Sequence, residues 1–244
     1  MGKKYSLEGK TIFITGASSG IGAQAAISTG EAGARLIITG RDEKRLNDTL
    51  HGIKGKDHKS YTSDLTDESH INDLVDKLPE LDGIVHCAGI TSHLPVQFVN
   101  SKSLTEVFGI NFVAPVLLTS RSLKKKKIRD NSSIVFLSSI STEHPYFGGS
   151  LYVSTKSALE GYSKVLAMEL SSRRIRSNCL SPGIVRTPMV DKTEETISKE
   201  TLKKYEDMSL LGTGKPADVA DVILFFLSDA SRWITGTNLE LGGV

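Results

Sequence analysis

Short apolar, β-rich runs alternate with longer stretches of helical spacing from residue 10 onward. The runs are TIFIT, ARLIIT, HKSYTS, LDGIVHC, SSIVFLS, RIRSNCLS and TNLELG, and seven strands of this kind fit one sheet. Between them, IGAQAAISTGEAG, ESHINDLVDKL and the stretch from Leu151 to Leu170 place apolar residues three and four apart, as helices with one buried face do. Strand, helix, strand repetition implies parallel pairing, because right-handed crossovers return each strand in the same direction and lay helices on both faces. The pattern predicts one doubly wound α/β domain over residues 1–244, with a seven-stranded, mostly parallel sheet and ligands at the carboxyl ends of its strands. Only the segment from Met189 to Leu211 interrupts the rhythm. It is polar, helix-prone and follows a Pro-Gly loop, so it reads either as an excursion that closes over a substrate or as a surface helix without that role.

Composition narrows the class. A hydrophobic content of 39% with 22 glycines is that of a globular chain. With 30 Lys plus Arg against 28 Asp plus Glu, the net charge of +2 supplies no field that would gather nucleic acid, and no nucleic-acid partner is expected. Cys87 and Cys179 lie in apolar segments without metal-ligand spacing and read as buried, reduced thiols; no metal site is expected. The N-terminal stretch MGKKYSLEGK lacks the apolar core of a secretory signal, and no apolar run approaches bilayer-crossing length. Met1, Gly2 and Ser6 satisfy the short template for N-myristoylation, and Lys124 to Lys127 form a basic run, which is better read as a solvated helix end. The expectation is a cytoplasmic protein without membrane attachment.

The chemistry begins at the end of the first run, where Thr15-Gly16-Ala17-Ser18-Ser19-Gly20-Ile21-Gly22 leads straight into an amphipathic helix. A tight turn needs residues without a Cβ, a diphosphate needs close access to backbone N–H groups, and a helix start adds partial positive charge. The bland reading is a packing turn. At the end of the second run the chain reads Thr39-Gly40-Arg41-Asp42. An acid at position 40 would accept the ribose hydroxyls of NAD(H) and repel a 2′-phosphate; glycine there, followed by the Arg41 guanidinium, favours NADP(H). The alternative reading has Arg41 stacking on the adenine or pairing with Asp42, which leaves NAD(H) open. Tyr152 and Lys156 stand four apart and share one helix face. A neighbouring ammonium lowers a tyrosine pKa of about 10 by favouring the phenolate, so the pair reads as an acid/base device.

The T-G-x-x-x-G-x-G spacing, joined to Y-x-x-x-K, resembles the short-chain dehydrogenase/reductase family of the Rossmann type, and the resemblance runs to the last residues. It implies an NADP(H)-dependent oxidoreductase interconverting a carbonyl and an alcohol, with a small-molecule substrate and a 3-oxoacyl thioester as the best single guess. It implies a catalytic tetrad of Asn111, Ser139, Tyr152 and Lys156, with Ser139 thirteen residues before the tyrosine and Ser138 as its confounder. The serine would polarise the substrate oxygen, and Asn111 would organise a water leading to Lys156. The resemblance further implies cofactor contacts from Gly16, Ser18, Ser19, Gly20, Ile21, Gly22 and Arg41, from Asp64 and Leu65 at the adenine, and from Ala88 and Gly89 at the ribose. Tyr152 and Lys156 would hold the nicotinamide ribose, and Pro182, Gly183, Ile184 and Thr187 the carboxamide. By itself Asp64 reads as a turn former beside Thr66 and Asp67. A homo-oligomer, a tetramer or a dimer, is implied through the helices bearing Asn111 and Tyr152.

Two departures from the family pattern stand out. His86-Cys87-Ala88-Gly89 replaces a motif that usually opens with asparagine, so altered local hydrogen bonding is expected there; His86 as an acid or metal ligand is the minor reading. Leu241 stands where relatives commonly carry Asp before Gly-Gly, a change expected to touch assembly more than chemistry. Sugars, polyols, steroids and small ketones remain open as substrates, and a non-catalytic NADP(H) sensor is the reading from another class.

Overall fold

The computed structural model describes residues 3–194 and 209–243. All seven runs form strands: β1 Thr11–Thr15, β2 Arg35–Gly40, β3 Lys59–Thr62, β4 Leu81–His86, β5 Ile128–Leu137, β6 Arg176–Pro182 and β7 Asn238–Leu241. They pair in the order β3-β2-β1-β4-β5-β6-β7, every pair parallel. The winding direction changes between β1 and β4, so the crevice of this sheet lies over those two carboxyl ends. β5 begins at Ile128, earlier than the run SSIVFLS, and its register with β4 shifts between Leu81 and Gly83.

Side chains alternate across the sheet and build a core on each face. Ile12, Ile14, Leu36 and Ile38 point to one face, where helices α1 (Gly20–Glu31), α2 (Glu43–Gly52) and Pro216–Leu227 contribute Ala25, Leu46 and Ile223. Phe13, Ile84, Ile134 and Phe136 point to the other. There α3 (Glu68–Lys77), a long rod and α6 (Ser150–Glu169) supply Leu74, Leu118 and Leu159. The rod is α4 (Ser101–Phe108), a π-helical turn Gly109–Val113 and α5 (Ala114–Lys124) in succession. Contrary to expectation, residues 101–124 are long and apolar enough, by length and composition, to cross a bilayer. Ile110, Ala114 and Leu118 of the rod are packed into the sheet core, and Arg121 pairs with Glu68 of α3. These contacts are those of a helix that covers a sheet.

The basic run is partly engaged: Lys125 pairs with Asp76, and Lys127 donates to the Leu78 carbonyl. Helix α7 (Pro188–Glu194) opens the segment that breaks the strand–helix rhythm. Residues 195–208 of that segment, like Met1 and Gly2 of the myristoylation template, lie outside the described residues.

Candidate active site

The glycine-rich turn between β1 and α1 is built by close approach. Gly16 has φ +67, and a Cβ there would stand 2.7 Å from the Ala88 backbone nitrogen. A Cβ on Gly22 would stand 2.4 Å from the Gly16 carbonyl oxygen. Side chains at either position would push this turn off the end of β4, where Ala88 N–H donates to Thr15 Oγ1 at 3.2 Å. α2 and α3 are capped by the side chains of Asp42 and Asp67, whereas Ser19 at the start of α1 makes no side-chain cap. Unpaired first-turn N–H groups at a glycine cradle suit an anionic diphosphate.

That turn lines a cleft of about 480 Å³ over the β1–β4 crevice. Of the residues the resemblance assigns to the cofactor, Gly16, Ser18, Ser19, Gly20, Ile21, Gly22, Arg41, Leu65, Ala88, Gly89 and Thr187 line it. Asp64 does not. Its Oδ1 accepts from the Thr66 backbone N–H at 3.0 Å and the Thr66 hydroxyl at 2.8 Å, bonds that hold its carboxyl below the usual range and make it the turn former its neighbours suggested. Gly40, Asp42, Arg45, Ser63, Cys87, Ile90 and Thr91 join the lining without having been singled out for it. Ser63 Oγ is buried without a partner among the described residues. Asp42 is engaged by Arg45, not by Arg41: its carboxylate accepts from Arg45 N at 2.9 Å and from Arg45 Nε at 2.7 Å. The glycine cradle, the open helix start and a basic rim fit a nicotinamide dinucleotide.

A second cavity of about 520 Å³ adjoins the cleft, and Ile21, Cys87, Gly89, Thr187 and Met189 border both. Ser139, Tyr152 and Lys156 line it, as do Pro182, Gly183 and Ile184 from the loop after β6. Ser139 Oγ accepts from the Ser141 backbone N–H at 3.2 Å and from the Ser141 hydroxyl at 2.9 Å, beside Tyr152 in the same cavity. Ser138, the confounder, also borders the cavity but is buried, and its hydroxyl donates to Glu160 Oε1 at 2.6 Å. Lys156 is buried too, and its Nζ donates to the Leu137 carbonyl at 2.7 Å. Burial lowers the lysine pKa to about 8. The tyrosine departs from expectation. Burial raises its pKa and the neighbouring Ser139 hydroxyl works against that rise; the Lys156 nitrogen lies 5.5 Å from the ring centroid, over the ring face.

Asn111 is buried on the π-helical turn, a feature that often marks functional positions in helices. Ile90 N–H donates to its Oδ1 at 2.8 Å, and its Nδ2 donates to the Ile90 carbonyl at 3.0 Å and to Thr155 Oγ1 at 3.1 Å. The amide therefore ties the loop after β4 to α6. A Cβ on Gly89 would meet Asn111 Oδ1 at 3.0 Å and Lys156 Nζ at 3.6 Å, which places both polar groups beside that glycine.

Both departures are resolved locally. His86 shares a hydrogen bond with Thr119 Oγ1 at 3.0 Å and stacks on Phe136 with centroids 4.8 Å apart. Burial lowers its pKa to about 3, so the ring is neutral and structural. Cys87 is half-buried at the boundary of the two cavities, not fully buried as expected, and burial pushes its thiol up to about 12. The Leu241 carbonyl accepts from Gly183 N–H at 2.8 Å, so the C-terminal strand holds the β6 loop as well as presenting a surface. No cluster of three or more His, Cys, Asp or Glu suited to a metal occurs among the described residues.

A parallel sheet that reverses at β1/β4, a glycine cradle at that crevice and a Ser–Tyr–Lys constellation beside it define a dinucleotide-dependent oxidoreductase. The family model described as enoyl-(acyl carrier protein) reductase matches residues 16–243, and the chain belongs to the short-chain dehydrogenase/reductase family. It is 32% identical to the 3-oxoacyl-[acyl-carrier-protein] reductase of Rickettsia felis over 238 residues, covering 97% of each chain. It is 31% identical to the enzyme of the same name from Thermotoga maritima, covering 97% of this chain and 98% of that one. Among solved structures, an angucycline C-6 ketoreductase with bound NADP superposes with a TM-score of 0.89 at 26% identity, covering 98% of this chain and 96% of that one. The protein is accordingly an oxidoreductase of CH–OH and C=O groups that uses a nicotinamide cofactor and a small-molecule substrate.

Proposed function

We propose that this chain reduces the 3-oxo group of an acyl thioester with NADPH, Tyr152 giving the proton to the product oxygen. The observation that carries this reading is the meeting of Ser139, Tyr152 and Lys156 in one cavity that adjoins the dinucleotide cleft. The hydroxyls of Ser139 and Tyr152 in one cavity suit a carbonyl oxygen, which needs one donor to polarise it and one to protonate it. This favours carbonyl reduction over the enoyl reduction in the family description. The cavity adds apolar walls from Ile140, Pro145, Met189 and Val190, suited to an acyl chain.

The nicotinamide supplies the hydride when bound; everything else is done by the chain. The turn from Gly16 to Gly22 holds the diphosphate through backbone N–H groups. Arg41 takes the 2′-phosphate and makes NADP(H) preferred, with no carboxylate at Gly40 to oppose it. Leu65 lies against the adenine, Ala88 and Gly89 border the ribose, and Pro182, Gly183, Ile184 and Thr187 fix the carboxamide. Ser139 donates to the substrate oxygen, and Tyr152 transfers its proton there. Lys156 holds the nicotinamide ribose and keeps positive charge beside the phenol, while Asn111 supports the chain of hydrogen bonds that returns a proton to Tyr152. Met189 and Val190 at the start of the irregular segment line the cavity, in keeping with a substrate-covering role. Subunits meet through the rod and α6, whose Leu104, Val113, Val165 and Met168 are exposed.

The test is loss of NADPH absorbance with acetoacetyl thioester as substrate. Turnover lost by about 10²- to 10⁴-fold in Tyr152→Phe, with NADPH affinity unchanged, is the expected result. Turnover retained in that variant removes Tyr152 from the chemistry.

A further inference from the structure

The adenine end of the dinucleotide cleft carries an ion pair that fold and stability do not explain. Asp42 is the N-cap of α2, and its Oδ1 accepts from Arg45 N at 2.9 Å, which suffices to cap the helix. The other carboxylate oxygen, Oδ2, accepts from Arg45 Nε at 2.7 Å. The two side chains are 39% and 53% exposed, and a pair so exposed contributes about 0–1 kcal/mol. Its placement is more telling. Asp42 and Arg45 both line the cleft, together with Ser18, Gly40 and Arg41. A carboxylate at this rim opposes a phosphate dianion, yet this one is held on the inner edge of a guanidinium. Only Nε is used in that contact, and no described residue takes the terminal nitrogens of Arg45. A guanidinium clamped on one edge presents its remaining N–H groups in a fixed plane, the arrangement that binds phosphate oxygens in pairs.

We infer that Arg45, oriented by Asp42, is a second cofactor-selecting residue that contacts the 2′-phosphate of NADP(H) alongside Arg41. The inference rests on the NADP(H) reading above. The charged groups that line the cleft are Arg41, Asp42 and Arg45 at the end of β2 and Glu106 of α4; Asp64, outside the lining, is held by Thr66 and feels the Arg41 charge. With Asp42 held by Arg45 and Asp64 by Thr66, the terminal nitrogens of Arg45 are left beside Arg41 to face an incoming dianion. Arg45 thus contributes geometry as well as charge, and lysine would not replace it.

The experiment is calorimetric titration of NADPH, NADH, adenosine 2′,5′-bisphosphate and 5′-AMP into wild type, Arg45→Met and Asp42→Asn/Arg45→Met. Asparagine still caps α2, so the double variant folds as the single does, and thermal melts check this. Arg45→Met is expected to weaken NADPH and the bisphosphate about tenfold while leaving NADH and 5′-AMP within twofold. The double variant is expected to remain weakened. Restored NADPH affinity in the double variant overturns the inference, because it would mean that Arg45 only masks Asp42. Wild type preferring NADPH with Arg45→Met unchanged overturns it as well and leaves the NADP(H) reading standing. Wild type without a preference for NADPH defeats that reading, and this inference with it.

Discussion

The Lys156 ammonium lies 5.5 Å from the centroid of the Tyr152 ring, over its face, while its own hydrogen bond goes to the Leu137 carbonyl at 2.7 Å. The two groups are one helical turn apart on α6, and burial moves them in opposite directions, the phenol up and the ammonium down to about 8. Both shifts favour the neutral forms. Reduction uses a protonated phenol and a charged lysine, so its rate is expected to fall as pH rises through about 8, where Lys156 loses its proton. The reverse oxidation, which starts from phenolate, should rise with pH over the same range. Profiles of kcat/KM in both directions from pH 6 to 10 check this; a reductive rate constant flat to pH 9.5 contradicts it.

Asn111→Ala is expected to cost stability before it costs chemistry. It removes three hydrogen bonds and strands the N–H and carbonyl of Ile90 in a half-buried position. An unsatisfied buried group costs about 1–3 kcal/mol, and each kcal/mol is worth roughly 2–4 °C in a domain of this size. Differential scanning calorimetry should find Tm lowered by at least that step, with kcat reduced because the loop after β4 is no longer tied to α6. An unchanged Tm would mean that the Ile90 groups find other partners.

Gly40→Asp tests the basis of cofactor choice. A Cβ at Gly40 would stand 3.0 Å from Ser18 Cβ and Oγ, so the new side chain must displace Ser18 as well as bring a carboxylate to the rim. NADPH affinity is expected to fall at least tenfold and NADH affinity to change less, with Gly40→Asp/Ser18→Gly recovering the stability lost to crowding. Equal losses for both dinucleotides would show that crowding, not charge, is the effect.

His86 should make the protein acid-sensitive. Its folded pKa of about 3 lies below the unfolded value of 6.5, so the unfolded chain binds the proton first as pH falls. Stability is therefore full above pH 6.5 and declines below it, by about 2 kcal/mol at pH 5. Urea unfolding at pH 7.5 and pH 5 should show this loss in wild type and a smaller one in His86→Asn. Equal losses in the two proteins would place the acid sensitivity elsewhere.

Much of the molecule was readable from residue order. The seven runs became the seven strands because alternating apolar positions such as Ile12, Phe13 and Ile14 must face two different cores. The glycine turn was legible because Gly16 and Gly22 admit no Cβ. The early start of β5 was hidden by its polar residues: Arg129 pairs with Glu80 and Asp82, Asp130 pairs with Arg173, and Asn131 takes a positive φ where the register with β4 shifts. The role of Arg45 was hidden for a similar reason: an arginine in the first turn of a helix reads as solvated surface until the neighbouring strand ends curl beside it.

Local pattern by itself determined the strand–helix succession, the diphosphate turn and the placement of Tyr152 and Lys156 on one helix face, because each depends on residues within a few positions of one another. The tertiary structure alone decided the rest. It turned the Ser138 hydroxyl to Glu160 and set Ser139 in one cavity with Tyr152, joined Asn111 to Ile90, committed Asp64 to Thr66, and enclosed Tyr152 and Lys156 so that burial, not their mutual charge, governs their protonation. Most of these depend on contacts between distant segments, and a pKa depends on the whole volume of low-polarity matter around a group, which no linear spacing records.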